Sequence, residues 1–269
     1  MTAIALTIAG SDSGGGAGIQ ADLKTFSSLG VYGASVMTAV TAQNTRTVAA
    51  VHHVPTPMIA AQIETVLSDL SVDVIKIGML ATTEIIECVV DSLNDWTRPL
   101  IIDPVMIAKS GDSLLADNAV DTLLQKLLPR ADVLTPNLPE TARLLDMPVA
   151  TKPEEIIEQG QLLCDRVAGA VLMKGGHALG DDCTDILITG RGPDTIHTFT
   201  AKRQRTRNTH GTGCTLSSAI AATIARGLDL PQATRAAHDY LHRAIGAADT
   251  LSIGHGHGPV HHFWEHWEK

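Results

Sequence analysis

The sequence predicts an α/β protein built around a largely parallel β-sheet. Apolar runs of strand length alternate with segments of helical period along most of the 269 residues, as in successive βαβ units. Hydrophobic residues make up 44% of the chain and charged residues 18%, which is enough apolar material for a large core. No internal repeat, low-complexity linker or charge block marks a boundary. We therefore expect a single domain over residues 1–269.

The first half of the chain alternates regularly between strands and helices. The apolar run Ala3–Ala9 predicts a buried strand that leads into a glycine-rich loop. After that loop, Ile19, Leu23 and Phe26 recur at helical spacing until Gly30. The pattern then predicts an extended segment over Gly33–Gln43, a helix opened by Pro57, a strand over Val72–Ile77, a helix over Thr83–Leu93 and a strand over Pro99–Asp103.

The second half continues the alternation and then breaks it. Thr184–Thr189 and Thr195–Thr200 are joined by a short spacer that contains Gly and Pro, which suits a hairpin better than a helical crossover. The other predicted elements, in order, are a helix over Asp117–Leu128 capped by Asp117, a strand over Asp132–Thr135, helices over Pro139–Leu145 and Pro153–Val167, a strand over Ala170–Lys174, and helices over Gly213–Arg226 and Pro231–Thr250.

Charge and composition exclude several classes of function. Lys and Arg number 20 against 29 Asp and Glu, so the net charge of −9 gives no electrostatic footprint for nucleic acid. No apolar run approaches the roughly 18 residues of a membrane-spanning helix, and no Lys or Arg precedes the first apolar run as in a signal peptide. The cysteines Cys88, Cys164, Cys183 and Cys214 show no C-x-x-C spacing, which argues against a disulfide framework or zinc pair. A cytoplasmic protein that does not bind a membrane is expected.

The loop after the first strand is unusually rich in glycine. Residues 10–18 contain five glycines in nine positions, and a turn that needs positive φ explains only one or two of them. The loop lacks the Gly-Lys-Ser/Thr of a Walker A motif and a clean G-x-G-x-x-G with a ribose-binding acid. We interpret it as backbone that approaches a ligand closely.

Oxygen donors follow two further predicted strands. Asp103 ends one strand, and Asn137 and Glu140 follow the next. Ligands of open α/β sheets bind at the carboxyl ends of the strands, and Mg²⁺ prefers such oxygens, usually with water. Taken singly, Asp103 could cap a turn, and Glu140 could occupy the first turn of a helix because the dipole favours it there. Together they favour a site for a metal and a nucleotide.

A second glycine-containing loop precedes a helix made of small residues. Consecutive backbone N–H groups over Asn208–Thr215 would form an anion site at the helix start. Cys214 falls in the first turn, where the same field is expected to lower the pKa of its thiol. The alternative is a structural cysteine buried behind a glycine turn.

Five segments together resemble the hydroxymethylpyrimidine/phosphomethylpyrimidine kinases of thiamine biosynthesis. They are Ala9–Lys24, Lys76–Leu80, Thr135–Glu140, Met173–His177 and Asn208–Thr215, and the resemblance continues to Gly258–Phe263. It implies a ribokinase-like fold of three layers, with a central, mostly parallel sheet flanked by helices, and usually a homodimer.

The resemblance also implies two successive MgATP-dependent phosphorylations. The first converts 4-amino-5-hydroxymethyl-2-methylpyrimidine to its phosphate, and the second gives the diphosphate, so the partners are this pyrimidine and ATP. From the residues alone, Gln43 could be simply a polar residue at a strand end and Met79 a core residue. The roles that the resemblance implies are pyrimidine binding by Gln43, Asp22, Gly10 and Met79, an anion hole at Gly211, Thr212 and Gly213, catalysis by Cys214 at the position held by Asp in ribokinase, ATP phosphate binding by Lys174, Asn137 and Thr209, and Mg²⁺ binding by Asp103 and Glu140.

Two other functions stay open at this point. A pyridoxine or pyridoxal kinase would share the fold and act on another hydroxymethyl heteroaromatic ring. A catalytically silent regulatory relative would keep the fold, but the intact Gly-Thr-Gly-Cys loop and the acidic strand ends argue against it.

Two further features of the sequence have a weaker interpretation. The basic run Lys202–Arg207 could be a solvated strand edge or could attract ATP phosphates. Histidines 255, 257, 261, 262 and 266 crowd the end of the chain, and we expect an exposed or dimer-packing tail there rather than a zinc site.

Overall fold

The computed structural model describes residues 1–107, 114–177 and 180–267. Its strands form one nine-stranded sheet with the order β3-β2-β1-β4-β5-β6-β7-β8-β9. The strands are β1 (Ile4–Ser11), β2 (Tyr32–Gln43), β3 (Val48–His53), β4 (Val74–Ile77), β5 (Leu100–Ile102), β6 (Val133–Leu134), β7 (Ala170–Met173), β8 (Asp182–Ile188) and β9 (Ile196–Lys202).

The six central strands, from β2 to β7, run parallel. The edges are antiparallel, since β3 pairs antiparallel with β2, β8 with β7, and β9 with β8. The predicted α/β class and the predicted hairpin at β8 and β9 are confirmed. Because the central strands all point the same way, their carboxyl ends lie along one edge of the sheet.

Helices cover both faces of the sheet, so the protein has three layers. The helices are α1 (Gly18–Ser28), α2 (Thr56–Asp69), α3 (Thr83–Ser92), α4 (Ala119–Thr122), α5 (Leu138–Leu145), α6 (Pro153–Cys164), α7 (Thr212–Ala225) and α8 (Leu230–Gly246). One apolar core packs α2 to α6 against one face, and a second packs α1, α7 and α8 against the other. In the part of the chain that the structure describes, no helix is both long and apolar enough to cross a lipid bilayer.

Alternation along the central strands sends side chains to the two cores. In β5, Leu100 and Ile102 enter the α2–α6 core, whereas Ile101 enters the other core. In β4, Ile75 and Ile77 enter the first core. Lys76, between them, is therefore directed to the face of α1 and α7 although it carries a charge, and its side chain is fully buried.

Strand β3 was not predicted from the sequence. It pairs with β2 through a turn in which the side-chain oxygen of Asn44 accepts hydrogen bonds from the amides of Arg46 and Thr47. Every residue of β3 except Val48 is exposed. An edge strand with so little burial carries no hydrophobic alternation, which explains why the pattern of apolar residues did not show it.

The helix predicted over Asp117–Leu128 differs from the prediction at both ends. It begins at Ala119, continues from Thr122 as a π-helical turn over Leu123–Leu127, and ends in a tight turn over Leu128–Arg130. The predicted cap is wrong, because the Asp117 carboxylate is paired with Arg143 on α5 instead.

The end of the chain is not simply an exposed tail, which corrects the expectation for the histidine cluster. His261 and His262 are buried within the same chain, whereas His255, His257 and His266 are exposed. The carbonyl of His262 accepts hydrogen bonds from Ser28 at 2.8 Å and Tyr240 at 2.7 Å, and its Nε2 lies 3.0 Å from the Thr215 hydroxyl. This segment therefore packs against the start of α7.

Candidate active site

A cavity of about 350 Å³ opens at the carboxyl edge of the central strands. That volume is within the usual range of small-molecule sites. Of the residues implied by the family resemblance, all except Asp22 line it: Gly10, Gln43, Met79, Asp103, Asn137, Glu140, Lys174, Thr209, Gly211, Thr212, Gly213 and Cys214.

The two glycine loops pack against each other, backbone to backbone. Gly211 has a φ of 80°, and a Cβ at this position would overlap the carbonyl oxygen of Gly16. Gly18 has a φ of 55°, and a Cβ there would overlap the carbonyl oxygen of Gly10. Both positions therefore require glycine for conformation and for space.

Asp12 organises the first glycine loop, and sequence analysis gave it no role. Its carboxylate accepts hydrogen bonds from the amides of Gly14 at 2.8 Å, Gly16 at 3.0 Å and Ala17 at 2.8 Å. The Nε2 of His210, in the second loop, lies 2.8 Å from Asp12 Oδ2. Burial alone would raise the pKa of Asp12, but the hydrogen bond and charge of His210 and the amide donors outweigh it, so the pKa is lowered.

One lobe of the cavity lies between the first glycine loop and the ends of β2 and β4. Gln43 Nε2 lies 3.4 Å from His210 Nε2, and Gln43 Oε1 accepts a hydrogen bond from Thr41 at 3.2 Å. Met79 lies over Gly10, since a Cβ on Gly10 would be 3.1 Å from the methionine sulfur. This lobe therefore combines the apolar side chain of Met79 with the side-chain amide of Gln43.

The start of α7 faces the ends of β5 and β7. A Cβ added at Gly213 would lie 3.4 Å from Lys174 Nζ and 3.5 Å from Asp103 Oδ2. The first turn of α7 and the Lys174 ammonium therefore border the same small volume. This is the arrangement expected of an anion site.

Lys174 lies between two buried carboxylates. Its Nζ is 2.7 Å from Asp103 Oδ1 and 3.8 Å from Glu140 Oε2. Asp103 also accepts hydrogen bonds from Thr135 at 3.3 Å and Ser217 at 3.3 Å. Burial raises the pKa of Glu140 to about 7 although Lys174 opposes the shift.

Asn137 and Glu140 form a reciprocal cap at the start of α5. The amide of Glu140 donates to Asn137 Oδ1, and the amide of Asn137 donates to Glu140 Oε2, each at 2.8 Å. The cap fixes both side chains at the cavity wall. Among residues 1–107, 114–177 and 180–267, no group of three or more His, Cys, Asp or Glu could hold a metal ion. Mg²⁺ would therefore need oxygens from a nucleotide and water besides those of Asp103 and Glu140.

The expected acidification of Cys214 is wrong. Burial raises the pKa of its thiol to about 11, although the positive charge of Lys76 acts in the opposite direction. Desolvation of the thiol outweighs the charge of Lys76, so the thiol is neutral at pH 7.

Asp22 is the one implied site residue that the structure places elsewhere. Its side chain is fully buried and bound to Lys76, Thr7 and Ser218. It is not among the described residues that line the cavity, whereas its partner Lys76 is. In this structure the Asp22 carboxylate is held by Lys76, which lines the cavity, and the implied role of Asp22 in pyrimidine binding stays a prediction.

A second lobe of the cavity lies between β8, β9 and α8, and sequence analysis did not identify it. Leu241, Ile245 and Ala201 supply apolar surface. Its polar residues include Asp185, whose Oδ1 accepts a hydrogen bond from the Gly175 amide at 2.8 Å and so fixes the backbone next to Lys174. Lys202 and Arg203 also line this lobe, which locates the basic run beside the cavity.

A helix start between two lobes, with a lysine and carboxylates beside it, is an arrangement that suits group transfer between two bound molecules. Fold and site together define a phosphotransferase. Comparison with known proteins identifies the family: the family model described as phosphomethylpyrimidine kinase matches residues 12–261, and the chain belongs to that family. The resemblance stated from the sequence is thereby confirmed.

Individual relatives agree with the family assignment. The chain is 54% identical to the hydroxymethylpyrimidine/phosphomethylpyrimidine kinase of Rhizobium meliloti (strain 1021), over 100% of both chains. The crystal structure of phosphomethylpyrimidine kinase from Clostridium difficile 630 matches with a TM-score of 0.79 and 40% identity, covering 90% of this chain and 99% of that one. Pyridoxal kinase from Staphylococcus aureus in complex with AMP-PCP and pyridoxal matches with a TM-score of 0.89 but 32% identity, covering 100% and 96%.

Proposed function

We propose that the protein phosphorylates 4-amino-5-hydroxymethyl-2-methylpyrimidine with MgATP and then phosphorylates the monophosphate to the diphosphate, as a step of thiamine biosynthesis. The family and the 54% identity to a kinase named for both substrates support this proposal. Pyridoxal kinase is the weaker candidate, because the matching pyridoxal kinase structure is only 32% identical.

One observation carries the proposal. The start of α7 lies between the two lobes, and Gly213 faces both Lys174 and Asp103 at about van der Waals distance from where its Cβ would be. The oxygens of a phosphoryl group there would accept hydrogen bonds from the N–H groups at the helix start, while Lys174 neutralises their charge. Phosphoryl transfer depends mainly on this kind of positioning and charge stabilisation.

The two lobes suit two different molecules. The lobe of Gly10, Gln43 and Met79 suits the aminopyrimidine, because the Gln43 amide can donate and accept at once, as the polar edge of that ring requires. The lobe of Leu241 and Ile245 suits the nucleoside of ATP, with the phosphates extending past Lys202, Arg203 and Lys174 to α7. Asn137, with its oxygen used in the cap, can offer its amide N–H groups to a phosphate.

Mg²⁺ would enter bound to ATP and would neutralise the phosphate oxygens. Asp103 and Glu140, which line the cavity, would bind its water shell. Both carboxylates are already shared with Lys174, so the ammonium and the hydrated metal would neutralise the same charge cluster.

The neutral thiol of Cys214 suits the second reaction. A monophosphate carries about 1.5 to 2 negative charges at pH 7, and a fixed carboxylate at this position would repel it. The first reaction differs, because its nucleophile is an alcohol that must lose a proton. The thiolate form of Cys214, scarce at pH 7 since the pKa is raised to about 11, is the acceptor that we assign to that proton.

The decisive experiment is the mass of the product after incubation with MgATP. Hydroxymethylpyrimidine should gain one and then two phosphoryl groups, and the monophosphate offered alone should gain one. Pyridoxal offered in parallel at equal concentration tests the competing function. Faster turnover of pyridoxal than of either pyrimidine, or no transfer to the pyrimidines, would contradict the proposal. The homodimer, the cytoplasmic location and the single domain expected from the sequence remain predictions.

A further inference from the structure

Residues 254–258, near the end of the chain, pack against the turn between β2 and β3. The amides of His255 and Gly256 donate to Thr45 Oγ1 at 3.3 and 3.0 Å. The amide of His257 donates to the Thr45 carbonyl at 2.8 Å. Three consecutive amides therefore converge on one residue of the turn. In the described part of the chain, neither Thr45 nor residues 254–258 line the cavity.

The glycines of this segment allow the close approach. A Cβ added at Gly254, where φ is 69°, would lie 2.4 Å from Thr45 Oγ1, and one added at Gly256 would lie 2.0 Å from the Thr45 carbonyl oxygen. At Gly258 an added Cβ would lie 2.2 Å from Oδ1 of Asn208, in the loop before α7. All three distances are shorter than van der Waals contact, so only glycine fits these positions without displacing their partners.

The far end of the segment is fixed to the loop before α7. The Gly258 amide donates to Asn208 Oδ1 at 3.1 Å, and the Gly258 carbonyl accepts a hydrogen bond from the His210 amide at 3.0 Å. Asn208 is itself held by Asp249, just after α8, because its Nδ2 donates to Asp249 Oδ1 at 2.8 Å. Gly258 is buried, in contrast to the exposed start of the segment. The segment is therefore anchored at the α7 loop and extends from there to the β2–β3 turn.

The β2–β3 turn has little other support. Residues 44–47 are exposed except for Thr45, which is half-buried. On the other side of the turn, the backbone of Gln43 exchanges hydrogen bonds of 2.8 and 3.0 Å with the hydroxyl of Ser13, which is exposed. Exposed backbone hydrogen bonds and few apolar contacts are typical of segments with low local stability. The position of this turn therefore depends on the three amides of residues 255–257.

Both ends of the segment lead to Gln43. Thr45 follows Gln43 by two residues in the chain. At the other end, His210 is bound to Gly258 through its backbone, and its Nε2 lies 3.4 Å from Gln43 Nε2. A closed chain of contacts thus runs from Gln43 through the turn, residues 254–258 and His210 back to Gln43. A binding side chain is held only as precisely as the residues that support it, so loosening the turn would displace the Gln43 amide in the cavity wall.

We propose that Thr45 is a positioning residue for binding of the pyrimidine ring: residues 254–258 hold the β2–β3 turn through Thr45 and thereby fix the Gln43 amide. This assignment rests on the proposed function, because it takes the ligand of Gln43 to be the ring. It predicts a change in the KM for the pyrimidine but not in the KM for ATP, whose lobe lies on the other side of the start of α7.

Thr45→Ala and Thr45→Ser form a matched pair. Alanine removes the side-chain acceptor of two amides, whereas serine keeps Oγ1. We expect Thr45→Ala to raise the pyrimidine KM at least fivefold, with kcat and the KM for ATP within twofold of wild type. Thr45→Ser should keep the pyrimidine KM within twofold of wild type. Thr47→Ala, at an exposed position of the same turn, is the control and should change neither KM.

Circular dichroism and the thermal transition check that each variant folds. An unchanged pyrimidine KM in a folded Thr45→Ala enzyme would overturn the proposal. So would an equal rise in the KM for ATP, because that result indicates a general structural role. Thr45→Ser that behaves like Thr45→Ala would overturn the part assigned to the hydroxyl.

A double variant tests whether Thr45 acts through Gln43. Gln43→Leu removes the amide that the turn positions. Adding Thr45→Ala to it should therefore raise the pyrimidine KM no further than Gln43→Leu alone does. Two independent effects would multiply instead, and a multiplied rise in KM would contradict the positioning role.

Hydrogen exchange followed by mass spectrometry tests the contact without turnover. In the ligand-free protein, Thr45→Ala should speed exchange in peptides that contain residues 254–258, because two of their amides lose their acceptor, and Thr45→Ser should not. Unchanged exchange in Thr45→Ala would overturn the contact on which the proposal depends. If the wild type fails to phosphorylate the pyrimidine, the proposed function fails and the role in ring binding fails with it. The exchange rates would still decide whether Thr45 holds this segment.

Discussion

His210 and Asp12 are 198 residues apart in the chain, and their side chains meet at 2.8 Å in the floor of the cavity. The contact joins the loop that follows the first strand to the loop that opens α7. Since the same Asp12 carboxylate holds the amides of Gly14, Gly16 and Ala17, one side chain controls the shape of both loops.

Asp12→Ala should therefore disturb binding and stability together. It leaves amide donors without their acceptor, and a buried donor left unsatisfied costs about 1–3 kcal/mol. We expect a lower melting temperature and a higher KM for the pyrimidine. Asp95→Ala, in the exposed turn after α3, is the matched control and should change neither.

The pH dependence of this effect follows from the lowered pKa of Asp12. A carboxylate whose pKa is lower in the folded state stabilises the fold above its unfolded pKa, and this contribution disappears as the pH falls through the folded value. The difference in unfolding free energy between wild type and Asp12→Ala should therefore be constant near pH 7 and shrink below about pH 4. A difference that grows on acidification would contradict the assignment.

Gln43→Leu tests recognition of the ring. The substitution keeps the volume roughly constant but leaves the polar edge of the pyrimidine without its partner. The cost of about 1–3 kcal/mol corresponds to a rise in pyrimidine KM of roughly 5- to 150-fold. The KM for ATP should stay close to that of the wild type. Gln125→Leu, at an exposed position of the π-helical turn Leu123–Leu127, provides the control, and an unchanged pyrimidine KM in Gln43→Leu would remove this residue from the site.

Gly213→Ala tests the anion site without straining the backbone. The methyl group would lie 3.4 Å from Lys174 Nζ and 3.5 Å from Asp103 Oδ2, in the space assigned to the transferred phosphoryl group. Loss of one such donor typically lowers kcat by about 10²–10³-fold, and we expect a loss of that size in both reactions. Gly246→Ala in α8 adds the same methyl in ordinary contact with Gln204, 3.8 Å away, and should retain activity. Normal kcat in a folded Gly213→Ala enzyme would refute the anion site.

Cys214→Ala should separate the two reactions. Because the pKa of the thiol is raised to about 11, the thiolate fraction increases about tenfold per pH unit between pH 7 and 9. In the wild type, kcat/KM of the alcohol step should therefore rise with pH, and Cys214→Ala should abolish this rise and slow the step by about 10²–10⁴-fold. The phosphate step should lose much less, since its nucleophile is already ionised. Equal losses in both reactions would mean that Cys214 shapes the anion site and accepts no proton.

The sequence contained the signals for the scaffold and for the loops of the site. Continuous apolar runs located the inner parallel strands β1, β4, β5, β6 and β7 because these strands are buried on both faces. The glycines at 211 and 18 marked the positions where backbone meets backbone. Strand β3 was not predicted, because this exposed edge strand shows no alternation of apolar and polar residues.

The residues that the sequence did not identify act across long separations. Lys76 stands in an apolar strand, and only the fold shows that Asp22, Thr7 and Ser218 converge on one point with it. The state of Cys214 was mispredicted for a related reason. A helix start can be seen in the sequence, but the burial that outweighs its field depends on the packing of distant segments. A lysine inside a strand of otherwise apolar residues is the one local signal that could have directed attention to Lys76.

The direct packing of the two glycine loops restricts how this enzyme can be redesigned. A Cβ on Gly16 would overlap the His210 ring, and a Cβ on Gly211 would overlap the carbonyl oxygen of Gly16. A larger residue at either position therefore collides with the other loop. A combinatorial library that randomises one loop at a time should return almost only inactive clones. New substrate specificity would have to be selected from the lobe walls, at positions such as Met79 or Val105, where side chains border the cavity without supporting the opposite loop.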